Sequence, residues 1–243
     1  AEAHRFGLME IDDDHRLTAF SEKPAEPQST LASLGFYLVN TEALLRELGE
    51  GVRDIGRDLI PKMVATNLVF AYPFEGAWVD IGTVHACWET NLGLLDDAGR
   101  FDLGNPDWPI ATRSRPRPPA RFGVQSDVRN ALICDGCVVH GTVEHSVLSP
   151  GVIVAADAVV RDSVIMHDTV IGPGAVVNRC VLDRAVRIGA EACLGIGDGH
   201  ATPNRREPDH LNTGITLAGK GAQIPDEAVI GRNCIIDPHT TGD

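Results

Sequence analysis

Hydrophobic and polar positions divide this chain into three kinds of sequence. Over residues 1–100 strand and helix periods alternate. Phe6–Ile11 and Arg16–Phe20 are extended runs on either side of Asp12-Asp-Asp-His15, a hairpin signature. Leu34–Val39 is a continuous apolar run that predicts a buried strand. Glu42–Leu48 places Leu44, Leu45 and Leu48 on one helical face, with Gly49 as a stop. Asp58–Val64 predicts a second helix with Pro61 in its first turn, where proline is tolerated. Leu68–Tyr72 predicts a short strand, and His85–Leu95 a helix that Thr83 can cap. Strands interleaved with helices give an α/β or α+β class.

Residues 101–126 lose this periodicity. Pro106, Pro109, Pro116, Pro118 and Pro119 stand among scattered arginines, and such proline density holds neither a helix nor a central strand, so the segment is expected to be a linker. From Asp127 the chain repeats. Ser146-Val-Leu, Ser163-Val-Ile and Cys180-Val-Leu begin lines 17 residues apart, and within the lines aliphatic residues recur at steps of about six. One strand per hexad with tight turns between, three to a coil, makes a stack that buries a column no single coil could bury. A β-sandwich would alternate without this fixed register. The expectation is a parallel β-helix over 127–243, with Val147, Ile153, Val159, Val164, Val170, Val176 and Val181 pointing into one column. Gly197–Asn212 interrupts the repeat as an excursion loop, and hexads resume at Ile215.

Charge and cysteines narrow the classes. Lys+Arg 21 against Asp+Glu 34 leaves a net charge of −13, a poor balance for general binding of nucleic acid or anionic lipid. No apolar run approaches the roughly 18–20 residues of a membrane span. The first residues show no basic-then-apolar signal segment, and the chain starts at Ala1 rather than Met. The six cysteines show no disulfide-framework spacing. The single C-x-x-C, Cys134–Cys137, lacks the second pair a zinc site needs, so these thiols read as small buried side chains.

Three segments of the first hundred residues carry candidate chemistry. Phe20-Ser-Glu-Lys-Pro24 ends a strand with an acid–base pair, in a chain whose only lysines are Lys23, Lys62 and Lys220. The pair fits either a surface ion pair or an anion contact. Leu31-Ala-Ser-Leu-Gly-Phe-Tyr37 is the second segment. In the third, Gly76-Ala-Trp-Val-Asp-Ile-Gly-Thr83, Asp80 sits at a strand-to-helix junction, where it suits either a metal-bound carboxylate or a turn.

Together and in this order, RFGLMEID, FSEKP, LASLGFYLVN, DIGRDLIPKM, GAWVDIGTVHACWETNLGLL, PPARF, SVLSPGVIV and PDHLNTGITLAGKGAQIP resemble the bacterial glucose-1-phosphate adenylyltransferases. The resemblance implies an α/β, Rossmann-like nucleotidyltransferase domain followed by a left-handed parallel β-helix of hexapeptide repeats. Residues 1–100 would be the C-terminal part, or remnant, of the first domain. It implies that Glu22 and Lys23 hold glucose 1-phosphate, the first through hydroxyls and the second through phosphate. It also implies that Ser33 contacts the sugar, that Asp80 is one of two aspartates on Mg²⁺, and that Asp80 and Lys23 act in catalysis. Val79 departs from the basic residue that commonly precedes this Asp. The family's N-terminal Gly-rich loop of G-x-G-T-R-L type, which cradles ATP phosphates, is absent from this sequence, as is the first magnesium aspartate. The chain is therefore expected to correspond to the C-terminal part of such an enzyme and to be inactive alone.

The further implications are nucleotidyl transfer from ATP to glucose 1-phosphate with release of pyrophosphate, control by an anionic sugar-phosphate effector, a cytoplasmic homotetramer, and a place in α-glucan synthesis. Arg113, Arg115, Arg117 and Arg121 are candidates for the effector anion, a solvated linker being the competing reading. Two other function classes stand beside this one. A non-catalytic regulatory or assembly subunit would follow from the missing loop. A hexapeptide acyltransferase would use His140, His145 or His167, but it leaves FSEKP unexplained.

Overall fold

A computed structural model describes residues 3–66, 68–96, 101–112 and 115–242, and the chain separates into two compact units, Ala1–Trp78 and Val79–Asp243. In the first, β1 (Gly7–Ile11) and β2 (Leu17–Glu22) form the expected antiparallel hairpin, with Asp12 Oδ1 accepting the backbone N–H groups of Asp14 and Arg16 in the turn. α1 (Thr41–Glu47) starts at Asn40, whose side chain accepts from Ala43 N, and α2 (Ile60–Thr66) continues a wider helical turn over Ile55–Leu59. Leu17, Phe20 and Ile60 make a small core with Met9, Ile11, Val64, Val69 and Ala71.

Two sequence expectations fail in this unit. Leu34–Val39 is neither a strand nor buried: Phe36 is 84% and Leu38 103% exposed. A strand exists through its ladder, and among the described residues the backbone of Phe36–Val39 has no hydrogen-bond partner. Leu68–Tyr72 likewise contributes only an isolated bridge, Arg16 to Phe70. α1 forms as expected, but Leu45 and Leu48 on its apolar face are exposed.

The second unit is a parallel β-solenoid. Its strands stack on three faces, mostly at the 17-residue step: Val138↔Ile153↔Val170↔Arg187 on one, Val143↔Val160↔Val177↔Leu194 on the next, Val147↔Val164↔Val181↔Leu217 on the third, the step being 15 from Val138 to Ile153 and 36 from Val181 to Leu217, where the excursion loop intervenes. The first of these strands is Arg121–Phe122, paired with Val138–Val139. Corners are turned largely by residues with left-handed φ, and they recur in register: His145, Asp162 and Arg179 at one, Asp168 and Ala185 at another.

The inward column is displaced by one residue from the expected one. Val154, Val160, Ile165, Ile171, Val177 and Leu182 are fully buried, as are Val152, Ala158, Ser163, Thr169, Ala175 and Cys180 two residues before each. The expected set lies between them and faces outward, Ile153 being 38% exposed. Strand side chains alternate, so a shift of one residue exchanges inside for outside. The buried hydroxyls are satisfied along the stack: Ser146 Oγ donates to Glu144 O and accepts from Ser163 N, and Ser163 Oγ donates to Arg161 O and accepts from Cys180 N.

One outward stripe is also dry. Val147, Val164, Val181, Leu217 and Ile235 are covered by α3 (Val84–Asp96) through Val84, Trp88, Leu92 and Leu95, together with Leu211 and Ile215. Trp88 Nε1 donates to Asp162 O at 2.7 Å, and the Arg179 guanidinium lies over the indole at 4.2 Å. The excursion loop after Ile196 is tied down by buried Asn233, which donates to the carbonyls of Gly199, His200 and Thr202 and accepts from Gly214 N.

The two registers predict different mutational costs. Ile165→Ala and Ile171→Ala are expected to cost about 2–5 kcal/mol each, whereas Ile153→Ala stays within about 1 kcal/mol. Urea unfolding of the three variants checks this, and a large loss at Ile153 would restore the other register.

Candidate functional site

The hairpin end of the first unit gathers the sugar-side candidates. Gly7 opens β1 and pairs directly with Glu22, the last residue of β2. On the other side of Gly7, its carbonyl accepts from Ser33 N at 2.8 Å, next to the bridge between Leu8 and Ala32. Lys23 N donates to Phe6 O at 3.1 Å. Glu22, Lys23 and Ser33 are therefore brought to one sheet end by backbone bonds to two consecutive residues, Phe6 and Gly7.

The side chains are set differently. Lys23 is exposed and its φ is 48°, in the left-handed region. For a residue with a Cβ this costs about 1–2 kcal/mol, and Pro24 already bars the ordinary helical region to the residue before it. Such a backbone turns the chain abruptly at the strand end. Ser33 Oγ accepts from Gly35 N and meets Tyr37 Oη at 3.2 Å, so a hydroxyl pair stands near the acid and the cation. Glu22 is half-buried, its carboxylate lying against the backbone of Gly7 and Gly56. Sequence reading missed Tyr37, Gly7 and Gly56. The visible signal was two glycines in regular structure, where glycine weakens the element.

Asp80 belongs to the second unit, four residues ahead of α3. It is half-buried, and its Oδ1 accepts from Gly82 N at 3.1 Å. Thr83 Oγ1 accepts from Ala86 N and caps the helix as expected. Among the described residues no three His, Cys, Asp or Glu side chains converge as a metal cluster. Asp80 fits the role of a single carboxylate donor to an ion that draws its other oxygens from phosphate and water, a common arrangement for magnesium.

The helix behind Asp80 is fastened at its far end by charge. His145 Nδ1 lies 2.7 Å from Asp162 Oδ1, and its Nε2 lies 3.3 Å from Asp96 Oδ2 at the end of α3. Asn130 Nδ2 donates to the other Asp96 oxygen. The Asp162 carboxylate foremost, with Asp96 adding to it, holds the imidazole pKa above its ordinary value against the opposing effect of burial. His145 is thus committed to anchoring, while His140 and His167 are exposed.

The arginines of the linker do not share one fate. Arg113 lies outside the described residues. Arg115 is exposed, Arg117 pairs with Asp168 at 2.8 Å, and Arg121 opens the first solenoid strand. Cys137 is fully buried, its Sγ donating to Ser149 O, and burial pushes the thiols of Cys134 and Cys137 up, making them poor nucleophiles.

A pH test isolates the clasp. A raised folded pKa means the stabilisation is fully present below the unfolded value of about 6.5 and is lost as pH rises through the folded value. The melting temperature of the parent relative to His145→Gln is therefore expected to fall as pH rises above about 6.5. An offset independent of pH would mean His145 only packs.

Comparison with known proteins follows the same two parts. A nucleotidyl transferase family model matches residues 1–97, and a GlmU-like C-terminal hexapeptide model matches 118–218. The glucose-1-phosphate adenylyltransferase of Thermomicrobium roseum is 49% identical over 98% of this chain and 57% of its own length. That of Acetivibrio thermocellus is 36% identical over 100% of this chain and 58% of its own length. That of Halalkalibacterium halodurans is 43% identical over 65% of the chain and 43% of its own length. The chain spans somewhat over half the length of the first two.

Proposed function

We infer that this chain, a relative of the glucose-1-phosphate adenylyltransferases over nearly its whole length, carries the sugar-phosphate side of a nucleotidyl-transfer site. The observation that carries the reading is the gathering of Glu22, Lys23 and Ser33 around Phe6 and Gly7 at one sheet end. A carboxylate accepts from sugar hydroxyls, an ammonium pairs with phosphate, and a serine–tyrosine hydroxyl pair offers both donor and acceptor. In this reading Glu22 and Ser33 orient glucose 1-phosphate and Lys23 neutralises its phosphate.

The reaction proposed is attack of the sugar phosphate on the α-phosphorus of ATP, giving ADP-glucose and pyrophosphate for glycogen or α-glucan synthesis. The attacking phosphate oxygen is already anionic near neutral pH, so Lys23 has to position it and offset its charge rather than remove a proton. A magnesium ion, when bound, would supply charge neutralisation at the phosphates, and Asp80 is the residue of this chain that would hold it. In the same reading, residues 1–100 belong to the nucleotidyltransferase domain, the proline-rich segment after them links it to the β-helix domain, whose first strand is Arg121–Phe122 rather than one after 126, and Arg115 and Arg121 offer exposed cations to an anionic effector. The proposed assembly is a cytoplasmic homotetramer. No helix among the described residues is long and apolar enough to cross a membrane.

Calorimetric titration of the chain tests the sugar side. Lys23→Ala is expected to weaken glucose 1-phosphate and inorganic phosphate alike by about tenfold or more, and Glu22→Gln to weaken only the sugar phosphate. Unchanged binding in Lys23→Ala would remove the reading. For Asp80, asparagine keeps the turn bond to Gly82, so Asp80→Asn should melt with the parent and yet lower kcat by orders of magnitude wherever turnover is measured. Near-normal turnover would take Asp80 out of the metal site.

A further inference from the structure

Gly7 lies in a strand and Gly56 in a helical turn, and neither has the left-handed φ that calls for glycine. Any L residue could adopt their backbone. In such positions glycine is less stable than alanine by about 0.5–1 kcal/mol, so something other than conformation keeps the Cβ away.

At Gly56 the Glu22 carboxylate excludes it, and at Gly7 the same carboxylate does so together with the Phe20 ring. A Cβ on Gly7 would fall 2.7 Å from Glu22 Oε2 and 2.6 Å from the tip of the Phe20 ring. A Cβ on Gly56 would fall 2.5 Å from the same Oε2 and 2.9 Å from Cδ of Glu22. A Cβ does not make contacts this short, so a methyl at Gly56 would displace the carboxylate, and one at Gly7 the carboxylate and the tip of the Phe20 ring. The two glycines come from different elements. Gly7 begins β1, and Gly56 is the second residue of the turn that Asp54 caps by accepting from Arg57 N at 2.8 Å. That turn is braced by Asp58, which accepts from the backbone N–H groups of Arg53 and Asp54. Glu22 Oε2 is thus lodged against two stretches of bare backbone, one of them rigidly capped.

We propose that Gly7 and Gly56 form a slot that fixes the Glu22 carboxylate toward the hydroxyls of a sugar phosphate, which makes them positioning residues of the site. The proposal rests on the sugar-phosphate reading above. Glu22 has three rotatable bonds before its carboxylate. Held in the slot, that group is ordered before the ligand arrives, which reduces the ordering cost of binding. Lys23, one residue on, is already fixed in backbone by its left-handed φ, so acid and cation are presented as a preset pair.

The test has two readouts on the chain as it stands. The first is a double-mutant cycle in thermal stability. Gly56→Ala is expected to lower the melting temperature in the parent and to be neutral or stabilising in a Glu22→Ala background, because the clash needs the carboxylate. Additive effects would overturn the slot. The second is titration with glucose 1-phosphate and, separately, with inorganic phosphate. Gly56→Ala should weaken the sugar phosphate about tenfold and leave inorganic phosphate unchanged, and Glu22→Asp, shorter by one methylene, should restore part of the loss in the Gly56→Ala chain. Coupled stability with unchanged sugar-phosphate affinity would leave the slot purely structural and overturn its positioning role. A parent that binds no glucose 1-phosphate would instead overturn the sugar-phosphate reading and the positioning role with it, while the stability cycle still reports on the slot itself.

Discussion

Coil-on-coil stacking of the β-solenoid is the constraint from which the second unit follows. Each coil presents two inward side chains per face, and each lands on its counterpart in the next coil, in most coils 17 residues away, as Val160 on Val177 and Ile171 on Ile188. A coil alone would leave these side chains half wet; the stack dries them, and the parallel ladders satisfy the backbone at the same spacing. Because the column admits no slip, the outside is equally ordered. Val147, Val164 and Val181 align in a stripe, and a helix with Trp88 and Leu92 on one side covers it. Asp80 owes its place to this arrangement, since it stands just ahead of the helix that the stripe holds.

The first unit is organised by hydrogen bonds to a short stretch of backbone rather than by a large core. Phe6 and Gly7 each accept from a neighbouring segment, and through those bonds Lys23 and Ser33 are placed beside the strand that ends in Glu22. The side chains that matter are on the periphery of the hairpin, where the twist and the strained φ of Lys23 set their departure from the sheet. Electrostatics here are local: a carboxylate against bare backbone, a cation in water, and a hydroxyl pair on the neighbouring segment.

The repeat was legible because its period is enforced by packing, and the excursion loop was legible because the period stops. The inward register was misread. Central residues of each triplet look like the marker, yet Val186-Arg187-Ile188 carries a charge at that position, and only the flanking positions stay uncharged through all the coils. That arginine was the signal. Leu34–Val39 shows the opposite failure: its composition describes a buried strand, but a strand needs neighbours, and composition does not supply them. Among the site residues, Glu22, Lys23, Ser33 and Asp80 were found through motif resemblance, which names residues by kind. The glycines escaped because what matters about them is the space they leave, a property of the fold and not of the letter.

The left-handed corners carry a consequence for how this solenoid can diverge. Outside the corners tied to α3 and to Arg117, the exposed residues Asp157, Ala185, Glu191 and Glu227 bend the chain at positions that must hold a positive φ. Their tolerance is therefore conformational: asparagine, aspartate and glycine are admitted readily, β-branched residues scarcely at all. A lineage drifting under this rule would vary freely in corner charge while its corner shapes stayed fixed. Surface electrostatics could then be rewritten edge by edge along the prism with the interior untouched.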